Sequence, residues 1–108
     1  MLPLLDFLDR ISPGWTQLSR EQLNVLMRSV GPVNITFRHR EGNQRGSISF
    51  NQRSARNFRF RVGGIVMSVE NYMLVFYDER LRFPNSWTVK IENEFAAYPA
   101  EMLLVELV

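Results

Sequence analysis

The spacing of apolar residues changes once along the chain, at Gly31-Pro32, and this change constrains the fold most strongly. Before it, apolar residues recur every three or four positions, which is the period of a helix buried along one face. After it, apolar and polar residues alternate in most segments, which is the pattern of half-buried strands. Residues 65–69 and 73–77 are more continuously apolar, as in strands at the middle of a sheet or against the helices. The sequence therefore predicts an α+β fold, with two N-terminal helices packed on a mainly antiparallel sheet of about five to seven strands. We expect residues 1–108 to form a single domain, helical over 1–31 and β-rich over 33–108.

Both predicted helices carry signals that mark where they begin and end. Pro3 fits the first turn of the first helix, and Ser12-Pro13-Gly14 ends that helix. Ser19 is the predicted N-cap of the second helix, and Gln22 three residues later completes a capping box. Gly31 follows the last apolar position and predicts the end of the second helix.

The β-rich part of the sequence divides into short apolar segments separated by turn residues. Polar residues 41–44 and 52–55 predict hairpin links, Gly63-Gly64 predicts a bend, and residues 70–72 predict a turn. The predicted strands cover residues 33–37, 47–51, 57–62, 65–69, 73–77, 87–92 and 102–108. The last segment is predicted as a strand because it is short for a helix.

The charged residues are distributed unevenly, although the formal net charge is only +2. The chain contains twelve arginines and a single lysine, Lys90. Residues 38–61 hold seven of the arginines against Glu41 alone, a net charge of +6, whereas residues 62–108 carry a net charge of −4. The small total thus hides a basic middle segment and an acidic C-terminal segment.

Alternation predicts where the arginines of the basic segment lie. If the apolar residues of the first three strands face the core, and those strands pair in order, then their polar residues share the opposite face. Arginine presents a planar fork of donors that suits phosphate and carboxylate oxygens, and asparagine adds further hydrogen bonds. The candidate residues for binding nucleic acid or an acidic partner are Arg38, Arg40, Arg45, Arg53, Arg56, Arg59, Arg61, Asn34 and Asn51.

This arginine face favours a small nucleic-acid-binding accessory protein that contacts the phosphate backbone of DNA or RNA. The aromatic residues of the same strands alternate out of phase with the arginines and are expected to point inward, so stacking on single-stranded bases is not expected. Double-stranded or backbone-mediated binding therefore fits better. The preference for arginine, the short chain and the lack of a catalytic motif are typical of a viral or phage accessory protein.

Two other interpretations of the same charge pattern stay open. The basic face and the apolar strands suit a homodimeric protein-interaction or inhibitor module that binds an acidic protein surface. Alternatively, the arginines form a solvated surface and pair with the acidic C-terminal segment of the same chain.

The sequence indicates a binding protein and not an enzyme. The absence of cysteine excludes disulfides, cysteine-based metal sites and thiol nucleophiles, and His39 is the only histidine. We therefore expect no catalytic residues, no metal and no cofactor. Because no apolar run approaches the length of a membrane span and no secretory leader is evident, we expect a cytoplasmic protein, within its own cell or a host cell, without membrane insertion.

A short part of the β-rich segment resembles a known family. Residues 33–37 lead through Gly42 and Gly46 to residues 46–50, after an N-terminal helix, and this arrangement resembles that of Sm-like small barrels. The spacing of the glycines is shorter than in that family, and two helices precede the strands instead of one. The resemblance implies a small barrel of short strands, and we do not assign the chain to the family.

Overall fold

The computed structural model describes residues 1–108 and has an α+β architecture, as the apolar pattern predicted. The helices are α1 (Leu4–Ile11), α2 (Arg20–Val30) and α3 (Val69–Tyr77), and short 3₁₀ turns cover Trp15–Gln17 and Ala100–Met102. None of the helices has both the length and the apolar character needed to cross a membrane. The strands are β1 (Leu2–Pro3), β2 (Val33–Phe37), β3 (Asn43–Gly46), β4 (Ile48–Ser54), β5 (Arg59–Val62), β6 (Ile65–Ser68), β7 (Trp87–Ile91), β8 (Tyr98–Pro99) and β9 (Leu103–Leu107).

The strands form three antiparallel sheets instead of the single predicted sheet. Their orders are β1-β9-β2-β3, β4-β7-β8 and β5-β6. The expectation that β2, β4 and β5 pair in order was wrong, because each of them pairs with other strands. The C-terminal strand β9 pairs with β2 along its whole length, from Val33 opposite Leu107 to Phe37 opposite Leu103. A pairing between segments so distant along the chain leaves no local sequence pattern.

The two N-terminal helices are present as predicted. The Ser19 hydroxyl accepts a hydrogen bond from the Gln22 backbone at 3.2 Å, and the Gln22 side chain accepts one from the Ser19 backbone at 2.9 Å. Asn24 then attaches α2 to the edge of β4. Its amide donates to the Phe50 carbonyl at 3.2 Å and accepts from the Phe50 N–H at 2.6 Å.

The segment from Ile65 to Tyr77 differs most from its prediction. Strand β6 is present, but the predicted turn at 70–72 and the predicted strand at 73–77 together form α3. Ser68 caps this helix by accepting a hydrogen bond from the Asn71 backbone at 3.1 Å. The predicted link at 41–44 is also partly a strand, β3, whereas the predicted strands that became β7 and β9 are confirmed.

One connected cluster of 21 buried apolar residues joins the helices to the sheets. Leu4 and Leu8 of α1, Leu23 of α2 and Ile35 of β2 are fully buried in it. A buried carboxylate, that of Glu101, lies beside the cluster and accepts hydrogen bonds from two backbone N–H groups of the loop at residues 78–86, at 3.0 and 2.8 Å. These bonds offset the cost of burying the carboxylate and hold the loop that follows α3.

The close contact between Gly46 of β3 and Ile91 of β7 gives a prediction about stability. A Cβ atom added to Gly46 would lie 2.9 Å from Cγ2 of Ile91, closer than side-chain contacts allow. We expect Gly46→Ala to destabilise the protein by about 1–3 kcal/mol, which is typical of overpacking. Urea denaturation monitored by circular dichroism measures this loss of stability. The control is Ser49→Ala, on the exposed side of β4. Equal midpoints for Gly46→Ala and the wild type would contradict the prediction.

Candidate functional site

A cleft of about 310 Å³ separates a hairpin–helix unit, made of β5, β6 and α3, from the ends of β2 and β8. Aromatic side chains dominate its walls, and we call it the aromatic cleft. Its lining residues are His39, Arg40, Phe58, Phe60, Val69, Tyr72, Met73, Tyr77 and Phe95–Pro99.

Backbone hydrogen bonds at the start of α3 hold the hairpin–helix unit in place. The N–H of Val69 donates to the Phe58 carbonyl, and the N–H of Glu70 donates to the Ala55 carbonyl, both at 2.9 Å. The first N–H groups of a helix have no partner within the helix, so these carbonyls satisfy donors that would otherwise need water. The two bonds also fix the helix against the segment that connects β4 to β5.

Helix α3 supplies two tyrosines to one wall of the cleft. The ring of Tyr72 lies 5.3 Å from that of Phe60 and 5.9 Å from that of Tyr77. Burial, and then the adjacent Tyr77 hydroxyl, raise the pKa of Tyr72 above its usual value. Tyr72 is therefore a neutral O–H donor at physiological pH.

The opposite wall holds a guanidinium in a fixed position. Cζ of Arg40 lies 4.0 Å from the centroid of the Phe37 ring, and its Nη2 donates to the Tyr98 hydroxyl at 3.2 Å. Tyr98 in turn donates to the Glu94 carboxylate at 2.8 Å, and the amide of Gln44 donates to the other oxygen of that carboxylate. Burial and the bond to Glu94 raise the pKa of Tyr98, so this hydroxyl also keeps its proton.

His39 joins the two walls. Its ring makes edge-to-face contacts with Tyr77 at 4.7 Å and with Phe37 at 5.7 Å. Burial, and secondarily the charge of Arg40, lower the pKa of His39, so that the imidazole is neutral at pH 7. Its Nδ1 atom is buried and has no hydrogen-bond partner.

The cleft thus combines aromatic ring faces with neutral hydroxyl donors, an imidazole and one guanidinium. Ring faces bind flat or apolar groups, whereas the donors and the guanidinium bind anionic oxygens. The arrangement suits a ligand that has both kinds of group close together.

Of the nine residues selected from the sequence, only Arg40 lines the aromatic cleft. Arg38 is exposed at the end of β2, Arg53 is exposed on β4, and Arg59 and Arg61 are exposed on β5. Since these strands belong to three different sheets, the expected single arginine face does not form.

The other selected residues are also spread over the surface. Asn34 and Arg45 lie opposite each other on β2 and β3, and the Asn51 amide donates to Thr88 at 3.1 Å. Arg56 makes an ion pair with Glu70 at 3.2 Å, the only ion pair in the basic segment. Pairing between the basic and acidic segments is therefore limited to this contact, and a binding role for the selected residues stays a prediction.

Sequence reasoning missed the tyrosines and misplaced two phenylalanines. Phe37 and Phe50 are buried in the core as expected, but Phe58 and Phe60 are half-buried and line the cleft. One signal could have revealed the tyrosines, because an N-cap serine precedes apolar residues at helical spacing. Those residues are Val69, Tyr72, Met73, Phe76 and Tyr77.

Comparison with known proteins finds similarity in fold and none in sequence. No protein-family model and no curated protein matches the chain. Among solved structures, the Drosophila Argonaute 2 PAZ domain, described for its recognition of nucleic-acid 3′ ends, matches with a TM-score of 0.70 and 15% identity over 97% of this chain and 94% of that chain. A second structure of that domain, described with its nucleic-acid binding, matches with a TM-score of 0.67 and 15% identity, over 98% and 99% of the two chains.

A Drosophila Argonaute PAZ domain in complex with 3′-end 2′-O-methylated RNA matches with a TM-score of 0.70 and 15% identity, over 97% of this chain and 98% of that chain. The chain therefore has the fold of these PAZ domains, over almost its whole length.

The lowered pKa of His39 gives a prediction about stability and pH. An unfolded histidine takes up a proton near pH 6.5, whereas His39 in the folded protein takes it up only at lower pH. The unfolded state then binds more protons, so the free energy of unfolding falls as the pH drops below about 6.5. Urea denaturation between about pH 7.5 and 5.5 measures this fall, which we expect His39→Phe to reduce. If the free energy of unfolding falls by the same amount with pH in the wild type and in His39→Phe, the prediction is wrong.

Proposed function

We propose that the aromatic cleft binds the single-stranded 3′ end of a nucleic acid, without catalysing a reaction. The observation that carries the proposal is that one cleft brings together three tyrosines, His39 and Arg40. The fold supports it, because the similar PAZ domains are described as binding nucleic acids and recognising their 3′ ends.

The chemistry of the cleft matches the parts of a terminal nucleotide. Phe60 and Tyr72 place aromatic rings in the wall of the cleft, and a base or a ribose packs against such rings. Arg40 uses one donor for Tyr98, which leaves the rest of its fork for a phosphodiester. The O–H groups of Tyr72 and Tyr77 add further hydrogen-bonding groups to the same cleft.

The size of the cleft favours the end of a strand over a long stretch of it. Its volume of about 310 Å³ lies at the lower end of the range for small-molecule pockets, about 300–1,000 Å³. A duplex is far wider than such a cleft, so bound strands must be unpaired where they enter.

The proposal changes the double-stranded, backbone-mediated hypothesis that the arginine pattern suggested. That hypothesis depended on inward-pointing aromatic rings, whereas Phe58 and Phe60 line the cleft. Exposed arginines such as Arg59 and Arg61 still suit sequence-independent contacts with phosphates outside the cleft. A cytoplasmic location and a viral or phage origin stay predictions of the sequence.

A comparison of linear and circular RNA tests the proposal. We expect a linear single-stranded RNA with a free 3′ hydroxyl to bind at least about tenfold more tightly than a circular RNA of the same sequence, because only the linear form has an end to insert. Arg40→Gln, which removes the charge in the cleft, is expected to reduce binding of the linear RNA by about tenfold or more. Fluorescence anisotropy at a fixed salt concentration measures both effects.

The matched control is Arg59→Gln with Arg61→Gln, because these arginines lie outside the cleft. We expect this pair of changes to weaken linear and circular RNA equally and to reduce the salt dependence of binding. Equal affinity of the wild type for linear and circular RNA would contradict recognition of an end.

A specific surface also favours the alternative, a homodimeric protein-interaction module. The hairpin–helix unit exposes five large apolar residues, which are Ile65, Val66, Leu74, Val75 and Phe76. Exposed apolar patches of this kind are typical of protein interfaces.

Light scattering at micromolar concentrations tests this alternative. If two copies bind through the patch, we expect twice the monomer mass of 12.7 kDa, and Val75→Asp should restore the monomer, because a charge in an apolar interface loses its hydration. The wild-type mass staying at that of a monomer at every concentration would rule the homodimer out.

A further inference from the structure

Phe95 is the most exposed large apolar residue of the protein. Its side chain is fully exposed, although it lines the aromatic cleft. It also borders an adjoining polar groove that contains Arg28, Ser49 and Lys90 together with the carboxylate of Glu92. Phe95 therefore lies where the cleft opens into this groove.

The loop that carries Phe95 is held by several contacts. Asn93 has a φ of 69°, in the left-handed region, where asparagine is tolerated better than most residues. The N–H of Glu94 donates to the Ile91 carbonyl at 3.0 Å, and the carboxylate of Glu94 accepts from Tyr98 and Gln44. Because its immediate neighbour is fixed, the backbone of Phe95 is held beside the cleft and its exposed ring projects from there.

We infer that Phe95 is a stacking platform for the base of the nucleotide that emerges from the cleft, an inference that rests on the proposed function. An aromatic ring with free faces binds any of the four bases, because every base has a π face. The position of Phe95 at the mouth assigns it to a nucleotide upstream of the terminal one. Beyond it, Arg28 and Lys90 provide cations for the phosphates that follow.

The stacking contact has a spectroscopic signature. In a short single-stranded RNA, 2-aminopurine replaces each of the last four bases in turn, and its fluorescence is quenched when it stacks. We expect the wild type to quench it most strongly at one position upstream of the terminal nucleotide. Phe95→Ala should abolish that quenching and weaken binding by about tenfold, as expected for the loss of one stacking partner.

An abasic site identifies the contact as stacking. With an RNA that lacks the base at the quenched position, we expect wild type and Phe95→Ala to bind equally, and Phe95→Trp should keep both quenching and affinity for the intact RNA. The matched control is Phe83→Ala, since Phe83 is also exposed but lies outside the cleft. Phe83→Ala should change neither the quenching of 2-aminopurine nor the affinity for the RNA.

The outcomes separate the inference from the proposed function. If the wild type binds linear RNA but Phe95→Ala binds it equally well with the same quenching, the inference is overturned and the proposed function stands. A loss of affinity in Phe95→Ala that persists with the abasic RNA would also overturn stacking. If the wild type does not distinguish linear from circular RNA, the proposed function fails, and the inference fails with it.

Discussion

The aromatic cleft depends on how the first turn of α3 satisfies its backbone donors. Three of the N–H groups that a helix leaves unpaired are bound here by the carbonyls of Phe58 and Ala55 and by the Ser68 hydroxyl. The bonds to the Phe58 and Ala55 carbonyls attach α3 to the chain that precedes the hairpin. As a result, Tyr77 faces His39 across a ring distance of 4.7 Å, and the space between the hairpin–helix unit and the two larger sheets is walled on both sides.

The charges around the cleft are arranged so that a single cation, Arg40, lines it. The Phe37 ring and the Tyr98 hydroxyl hold Arg40. The nearby carboxylate of Glu94 already accepts hydrogen bonds from Tyr98 and Gln44, which disperse its negative charge. Because Tyr72, Tyr98 and His39 are neutral, an anionic group entering the cleft meets donors and a positive charge.

Local sequence signals predicted the elements whose boundaries depend on local chemistry. The Ser19 capping box, the end of α2 at Gly31 and the alternation in β2 all correspond to the structure. Helix α3 was missed because it is apolar nearly all round. Val69 and Met73 are buried, but residues 74–76 are apolar and exposed, so no polar stripe separated the apolar positions at helical spacing from their neighbours. The pairing of β2 with β9 joins distant segments and was not predictable from either one alone.

The candidate site was harder to predict than the fold, because segments far apart along the chain build it. These are residues 39–40, residues 58–77 and residues 95–99. Counting arginines identified Arg40 but could not separate it from six others, since strand pairing decides which of them faces a cleft. The exposed arginines and the aromatic residues of the cleft act over different distances. Exposed arginines attract a polyanion over about 8–10 Å at physiological salt, whereas ring faces and hydroxyl donors act only on contact. If the cleft holds the end of a strand as proposed, the arginines raise the local concentration of nucleic acid, and the aromatic residues decide which part of it stays bound.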